Sequence, residues 1–180
     1  LERARAFAQS SGCDFFAALW ATRGGNVFTT HTPVAAAFDT FPVPLLYKYG
    51  LDYARHCGVQ PGQLIGLGRA HPEDPDEPFN MAYLAARTCA RVTGVSQLHG
   101  RVSRRIFAPL FPRWPEAEVP VSHVTNAVHV PSWDSPWADH LWTEACGKGR
   151  WLGAPEERAA AVAGLGEAEL WDFRAMGRRD

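Results

Sequence analysis

Two polar side chains, those of His31 and Asn126, each follow a segment that is typical of a short buried strand. Residues 27–30 are β-branched or aromatic, and Pro33 ends this strand because proline cannot donate a hydrogen bond to a neighbouring strand. Residues 119–125 are also strand-like and lead into Asn126. Ligands of open α/β sheets bind beyond the carboxyl ends of the strands. The two strand ends are therefore predicted to point into one cleft.

An imidazole and an amide suit a neutral, polyhydroxylated ligand, because both groups form hydrogen bonds with hydroxyls. Aromatic residues that flank His31 and Asn126 are expected to cover the C–H faces of a sugar; they are Phe28, Phe38, Trp133 and Trp137. The same residues also allow a purely structural role, in which His31 fixes its own loop and Asn126 makes a turn. Taken alone, the residues favour that structural role.

Metal, nucleophilic and nucleotide-binding chemistries find little support in the sequence. His31, His123 and His129 could form a metal set by spacing alone, but carboxylate partners are not evident, so no metal site is predicted. The chain has no Gly-x-Ser-x-Gly elbow and no reactive cysteine motif. Gly66-Leu67-Gly68 follows a predicted helix rather than a strand, and Lys148 lacks the neighbours of a phosphate-binding loop.

The composition bounds the class of protein. The 180 residues carry a net charge of −1, with 46% hydrophobic and 21% charged residues, which is typical of a soluble globular protein. This balance gives no support for binding to nucleic acid or to an anionic membrane, and no apolar run reaches the length of a membrane span. Four widely spaced cysteines are expected to be reduced thiols of a cytoplasmic protein. The chain begins without an initiator methionine, so we expect it to be a fragment.

Strand-like and helical segments alternate over the first part of the chain, with strands at about 27–30, 92–95 and 119–125. This order predicts an α/β fold with a doubly wound parallel sheet. Beyond Asn126 only helices are predicted, which places a domain boundary near Thr125. The predicted helices cover residues 1–10, 14–20, 44–56, 61–67, 79–91, 97–110, 133–146, 155–163 and 167–178.

Two of these helices carry predictions about their faces. The helix at 79–91 is predicted to turn its apolar residues inward; they are Met81, Leu84, Ala85 and Cys89. The helix at 97–110 is predicted to hold three arginines on a largely solvated face; they are Arg101, Arg104 and Arg105. Ser96 is predicted to cap this second helix.

Several short motifs, in consistent order, resemble those of the α-glucan (glycogen or starch) phosphorylases in their shorter bacterial and archaeal form. The motifs are Thr29-Thr30-His31-Thr32-Pro33-Val34, Leu67-Gly68-Arg69, Pro78-Phe79-Asn80-Met81-Ala82, Gly94-Val95-Ser96-Gln97-Leu98-His99-Gly100, Val102-Ser103-Arg104, Val124-Thr125-Asn126 and Val128-His129. The resemblance continues in Leu141-Trp142, Arg150-Trp151 and Glu169-Leu170-Trp171. It spans nearly the whole chain and implies an internal fragment of such an enzyme.

The resemblance implies a GT-B glycosyltransferase architecture, in which two Rossmann-like domains face each other across a cleft. Residues 1–125 would be the C-terminal part of the first domain, and residues 126–180 would cross into the second domain. His31 matches the family histidine that helps to hold the transferred glucosyl unit, largely through its backbone carbonyl. Asn126 matches the family asparagine that contacts the 6-hydroxyl of the sugar.

The implied reaction is reversible phosphorolysis, in which inorganic phosphate takes a terminal α-1,4-linked glucosyl unit from a glucan or maltodextrin and gives glucose 1-phosphate. The family's cofactor, pyridoxal 5'-phosphate, takes part through its phosphate group. Its attachment lysine lies in a Ser-Asn-Met-Lys context, which neither Lys48 nor Lys148 has. The resemblance therefore implies that the cofactor lysine lies elsewhere in the parent enzyme and that the isolated chain is inactive. Whether the parent is a homo-oligomer stays open.

Some positions depart from the family pattern. Ala35, Ala37 and Phe38 stand where the family usually has Pro, Gly and His, and Thr93 replaces an asparagine. Ala127 replaces the glycine after the site asparagine, a change that would strain the turn if the glycine needs a positive φ. Two alternative functions stay open: a nucleotide-sugar glycosyltransferase of the glycogen-synthase type, and a non-catalytic glucan-binding module.

Overall fold

Short strands alternate with longer helices up to Asn126, and the described residues beyond it form helices. The computed structural model describes residues 1–152 and 156–179. The strands are β1 (Val27–Thr29), β2 (Thr40–Phe41), β3 (Phe79–Asn80), β4 (Arg91–Gly94) and β5 (Val121–His123). The α-helices are α1 (Glu2–Ser11), α2 (Phe15–Arg23), α3 (Val43–His56), α4 (Pro61–Gly66), α5 (Met81–Thr88), α6 (Gln97–Phe107), α7 (Val130–Trp133), α8 (Pro136–Cys146), α9 (Glu156–Ala163) and α10 (Glu167–Met176).

Strands β1, β4 and β5 form a parallel sheet in the order β1-β4-β5. Thr29 pairs with Thr93, and Thr93 pairs in turn with Ser122. The predictions of an α/β fold, of a parallel sheet and of its three strand positions are confirmed. Strand β5 is shorter than predicted because Pro120 has no N–H to donate to the ladder.

The core beside this sheet is built around Phe107 of α6, which is 1% exposed. Its ring lies 6.2 Å from the ring of Phe28 on β1 and 5.5 Å from that of Phe38, measured between centroids. Val92 and Val121 complete the cluster from the two neighbouring strands. Burial of such side chains contributes about 1.5–3 kcal/mol each, so α6 is held firmly against the sheet.

The predicted helix at 79–91 begins later and ends earlier than expected. Phe79 and Asn80 form β3, which pairs antiparallel with β2 through Phe41 and Thr40. The Asn80 side chain then accepts hydrogen bonds from the N–H groups of Ala82 (2.9 Å) and Tyr83 (3.3 Å). This N-cap fixes the helix start at Met81. A two-residue strand is too short to leave a pattern in the sequence.

The predicted inward face of this helix is wrong for Met81, and the other predicted residues, Leu84, Ala85 and Cys89, are half-buried. Ala82 and Ala86 are the residues buried against the core, whereas Met81 is 44% exposed. Small side chains let α5 approach the core closely, and the larger Met81 and Leu84 point elsewhere. They line an apolar groove of about 450 Å³ together with residues of α3 and α4, among them Leu45, Leu46, Tyr49 and Leu64.

Arg104 also differs from its prediction. Its side chain is half-buried, and Nη1 donates a hydrogen bond to the carbonyl of Val121 at 2.9 Å. Arg101 and Arg105 are exposed as predicted. The guanidinium of Arg104 thus satisfies a backbone group of β5.

The chain divides into two compact units, Leu1–Asn126 and Ala127–Asp180. In the second unit the predicted helix at 133–146 is interrupted, because Ser135 accepts a hydrogen bond from the N–H of Ala138 (3.1 Å) and starts α8 anew. Arg150 is buried in this unit and bonds to the carboxylates of Asp134 and Asp139. The predicted start of the next helix, Pro155, lies outside the described residues.

Two further features bear on the class of protein. The four cysteines, Cys13, Cys57, Cys89 and Cys146, are free thiols. Across residues 1–152 and 156–179, no helix combines the length and the apolar character needed to cross a membrane.

Gly94, at the end of β4, lets α6 start directly over the sheet. A Cβ placed on Gly94 would lie 2.9 Å from the backbone nitrogen of Gly100 and 3.1 Å from its Cα. These contacts are with backbone, which cannot rotate away as a side chain can. The close approach of the β4 end to α6 therefore requires glycine at position 94.

We predict that Gly94→Ala lowers the free energy of unfolding by about 1–3 kcal/mol, because the added methyl group forces α6 off the sheet. The matched control is Gly50→Ala in α3, where a Cβ would meet no atom within 4 Å. That control should raise the free energy of unfolding by about 0.5–1 kcal/mol. Urea unfolding followed by circular dichroism measures both, and equal effects of the two substitutions would contradict the account.

Candidate functional site

The carboxyl ends of β1, β4 and β5 lie at one edge of the sheet, because the three strands are parallel and in register. His31 follows the end of β1, and Asn126 follows the end of β5. Neighbouring strands are spaced about 4.8 Å apart, so β1 and β5 are separated by about 10 Å. The structure thus brings both predicted site residues to the same edge, on either side of β4.

Backbone hydrogen bonds continue past the strands on both sides of this edge. The N–H of Thr30 donates to the carbonyl of Thr93 at 2.9 Å, and Thr30 is only 2% exposed. On the other side, the N–H of Val124 donates to Gly94 at 2.9 Å, and the N–H of Asn126 donates to Val95 at 3.0 Å. The backbone on either side of the edge is therefore anchored to β4 or to the turn after it.

The side chains of His31 and Asn126 are exposed, and neither makes a hydrogen bond to any of the residues that the structure describes. In a purely structural role, the imidazole of His31 would bond to its own loop and the amide of Asn126 would bond within a turn. Those bonds are not present among the described residues. Two side chains with free donors and acceptors on an anchored backbone can instead bind hydroxyl groups of a ligand.

His99 of α6 is part of this edge, although the sequence analysis assigned it no role. His99 is 8% exposed. Nδ1 accepts a hydrogen bond from the N–H of Val95 at 3.1 Å, and Nε2 lies 3.0 Å from the carbonyl oxygen of Thr32. The Gly94–Gly100 motif marks this stretch, but its spacing does not reveal a contact with the loop after β1, which lies 67 positions away.

The predicted cap of α6 is confirmed. The hydroxyl of Ser96 accepts a hydrogen bond from the N–H of His99 at 3.1 Å. Val95 and Ser96 therefore form a tight turn between β4 and α6, and the edge presents hydroxyl, amide and imidazole groups. Within the described ranges, no three His, Cys, Asp or Glu side chains group closely enough to hold a metal ion.

Comparison with known proteins shows extended similarity to one class of enzyme. No family model matches the chain. Glycogen phosphorylase of Mycobacterium tuberculosis is 39% identical over 153 residues, which cover 82% of this chain and 17% of that protein. Maltodextrin phosphorylase of Thermococcus litoralis is 30% identical over 97% of this chain and 20% of its own length. Glycogen phosphorylase of Aquifex aeolicus is 30% identical over 82% of this chain and 21% of its own length.

This chain is a homologue of the glycogen and maltodextrin phosphorylases. It spans about a fifth of the length of these curated relatives. The resemblance of its ordered motifs to the phosphorylases is confirmed.

Departures from the phosphorylase pattern have modest structural consequences. Ala127 does not have a positive φ, since Arg113 (φ 69°) is the one non-glycine residue with such a backbone among those described. The anticipated strain next to Asn126 is therefore not present. Ala35 and Ala37 form a single 3₁₀ turn.

The expected aromatic flank is partly wrong. Phe28 and Phe38 pack their rings against Phe107 in the core, so they are half-buried and do not form an exposed aromatic surface. They are drawn into the core because a buried aromatic ring contributes more apolar burial there than at an open edge. Trp133 and Trp137 belong to the second unit, where Trp133 is 82% exposed.

We predict that His31→Ala and Asn126→Ala each change the free energy of unfolding by less than about 0.5 kcal/mol, because both side chains are exposed and make no hydrogen bond within the part of the chain that the structure describes. Asn80→Ala is the matched control, since that buried amide caps α5. Its loss should cost about 1–2 kcal/mol. Urea unfolding of the three variants measures the difference. If Asn126→Ala lowers the free energy of unfolding as much as Asn80→Ala does, then Asn126 has a structural role in the fold.

Proposed function

We propose that the chain is part of an α-glucan phosphorylase and supplies part of the subsite for the transferred glucosyl unit. The observation that carries the proposal is the placement of His31 and Asn126 at one sheet edge, with anchored backbones and free side chains. Homology to proteins named glycogen and maltodextrin phosphorylase supports the same class of reaction. The substrates would be a terminal α-1,4-linked glucan or maltodextrin and inorganic phosphate.

In this proposal Asn126 binds the 6-hydroxyl of the glucosyl unit. Its amide can accept from that hydroxyl through Oδ1 and donate to it through Nδ2. The loop that carries His31 would hold another hydroxyl through a backbone carbonyl. Because both backbones are fixed before the sugar arrives, little reorganisation is needed when the contacts tighten in the transition state. The two residues thus orient the sugar, and neither is assigned a proton-transfer step.

The residues of this chain do not fit the attachment of pyridoxal 5'-phosphate. Lys48 lies on α3 with its ammonium 5.1 Å from the ring centroid of Tyr49, and Lys148 pairs with Asp139 at 3.2 Å. Lys48 lies on a helix rather than after a strand of the sheet, and Lys148 lies in the second unit. The proposal therefore assigns the cofactor and its lysine to other parts of a longer protein and derives no step through it from this chain.

The proposal extends to the organisation of that longer protein. A GT-B enzyme has two Rossmann-like domains; residues 1–125 would be the end of the first domain and residues 126–180 would cross into the second. The parallel three-stranded sheet with its helices supports a Rossmann-like first part, and coverage of about a fifth of the relatives supports a piece of a longer protein. Four free cysteines suit a cytoplasmic location, where thiols stay reduced.

The direct test is an assay of the full-length protein for phosphate-dependent release of glucose 1-phosphate from maltoheptaose. Release that requires phosphate supports the proposal. Glucosyl transfer from a nucleotide sugar without any phosphorolysis would overturn it in favour of a synthase-type enzyme. Affinity for maltoheptaose without turnover would overturn it in favour of a non-catalytic glucan-binding module. The 180-residue chain alone should release no glucose 1-phosphate.

We predict that Asn126→Ala lowers kcat/KM with glucose 1-phosphate, in the direction of glucan synthesis, by about 10- to 100-fold, because a hydroxyl contact made in the transition state is lost. With 6-deoxyglucose 1-phosphate, which has no 6-hydroxyl, wild type and variant should differ by less than about threefold. Gln9→Ala, an exposed amide on α1, is the control and should leave both values unchanged. An equal loss with both substrates would show that Asn126 does not bind the 6-hydroxyl.

A further inference from the structure

A continuous series of hydrogen bonds crosses the sheet edge from the loop of His31 to Asn126. The carbonyl of Thr32 lies 3.0 Å from Nε2 of His99. Nδ1 of His99 accepts from the N–H of Val95 at 3.1 Å. The carbonyl of the same Val95 accepts from the N–H of Asn126 at 3.0 Å. The imidazole of His99 and the backbone of one residue, Val95, therefore connect the two candidate glucosyl contacts.

The partners of His99 define its tautomer. A carbonyl oxygen can only accept and a backbone N–H can only donate, so Nε2 must carry the proton and Nδ1 must be bare. Each ring nitrogen then satisfies one backbone group, those of Thr32 and Val95. Loss of the ring would leave the carbonyl of Thr32 and the N–H of Val95 without this hydrogen-bond partner at a buried position. Native structures avoid buried backbone groups that have no partner.

The imidazole itself is held from the side of β4 and β5. The backbone N–H of His99 bonds to Ser96. A Cβ on the next residue, Gly100, would lie 3.1 Å from the Cβ of His123, so α6 starts in close contact with β5. The ring thus projects from a rigid helix start toward the loop after β1. The start of α6 is therefore the fixed partner in this contact, and the loop after β1 takes its position from it.

The loop after β1 has few other restraints. Across the described ranges, the bond from His99 to Thr32 is the one hydrogen bond that ties residues 31–34 to another element. The remaining bonds of the loop are local, from the N–H of Thr32 to the hydroxyl of Thr30 at 3.5 Å and from the N–H of Ala37 to Val34 at 3.2 Å. The position of the loop relative to Asn126 therefore depends on His99.

We propose that His99 is a positioning residue of the glucosyl subsite, whose imidazole sets the loop of His31 at a fixed place relative to Asn126. Its consequence for catalysis rests on the proposed function, whereas its effect on the loop does not. His99 touches no substrate in this account. It acts through the backbone of Thr32 and Val95.

Two substitutions each remove one of the two hydrogen bonds that the imidazole makes and keep the other. In His99→Asn, the amide oxygen takes the place of Nδ1 and still accepts from Val95, but nothing reaches Thr32. In His99→Gln, the longer amide takes the place of Nε2 and still donates to Thr32, but the N–H of Val95 loses its acceptor. The matched control is His56→Asn, the same substitution at an exposed histidine on α3.

The first measurement is hydrogen–deuterium exchange of the full-length protein, followed by mass spectrometry on peptides that cover residues 29–38 and 94–100. His99→Asn should speed exchange in residues 29–38 at least about tenfold, the effect of losing about 1.4 kcal/mol of protection. It should leave residues 94–100 close to wild type. His99→Gln should show the reverse pattern, and His56→Asn should change neither peptide. Unchanged exchange of residues 29–38 in His99→Asn overturns the proposal.

The second measurement is the kinetics of phosphorolysis of maltoheptaose by the same folded proteins. His99→Asn should lower kcat at least about tenfold with a smaller change in KM, and His99→Gln should retain most of the wild-type kcat. A merely structural histidine would lower stability in both variants and leave kcat per folded molecule unchanged, which would overturn the proposal. If the wild type shows no phosphorolysis, the proposed function fails, and the exchange pattern alone decides whether His99 positions the loop.

Discussion

Parallel pairing of β4 with both β1 and β5 is the constraint on which the rest of the first unit depends. Because β4 is the central strand, the carboxyl ends of all three strands meet at one edge. The turn that follows β4 then lies between the two loops of the candidate site. In this turn, the carbonyl of Val95 accepts a hydrogen bond from the N–H of Asn126, and the N–H of Val95 donates one to His99. Any change that moves the end of β4 would move both candidate sugar contacts.

Close packing of α6 makes this arrangement possible. Gly94 and Gly100 remove side-chain volume where the helix begins, and Phe107 fixes the far end of the helix in the core. The start of the helix can therefore project a buried imidazole across the sheet edge to a neighbouring loop. The packing of the core and the geometry of the candidate site both follow from the position of α6 against the sheet.

Much of the sheet could be predicted from residue types. The β-branched strand segments and the polar residues that follow them have a local signature, and parallel topology then brings His31 and Asn126 to one edge. The two-residue strands β2 and β3 have no such signature, so Phe79 was expected in a helix. The buried face of α5 was mispredicted because it carries Ala82 and Ala86, whose small size suits close packing but gives a weak apolar signal.

The role of His99 could not be predicted from neighbouring residues, for a different reason. Its motif was visible, but its partner Thr32 lies 67 positions away, and only the folded sheet brings the two together. The consequence of Ala127 likewise depended on a backbone angle that residue types do not report. Ordered motifs identified the class of relatives, whereas burial and hydrogen-bond partners had to come from the structure.

The central claim is that a glucosyl unit binds at the carboxyl edge of the β1-β4-β5 sheet. A crystal structure of the full-length protein with bound maltoheptaose tests it most directly. The account predicts the terminal glucosyl unit at that edge, with its 6-hydroxyl about 2.7–3.2 Å from the side-chain amide of Asn126. A terminal glucosyl unit bound elsewhere, for example in the apolar groove lined by Leu45 and Tyr49, with Asn126 left exposed to solvent, would contradict it.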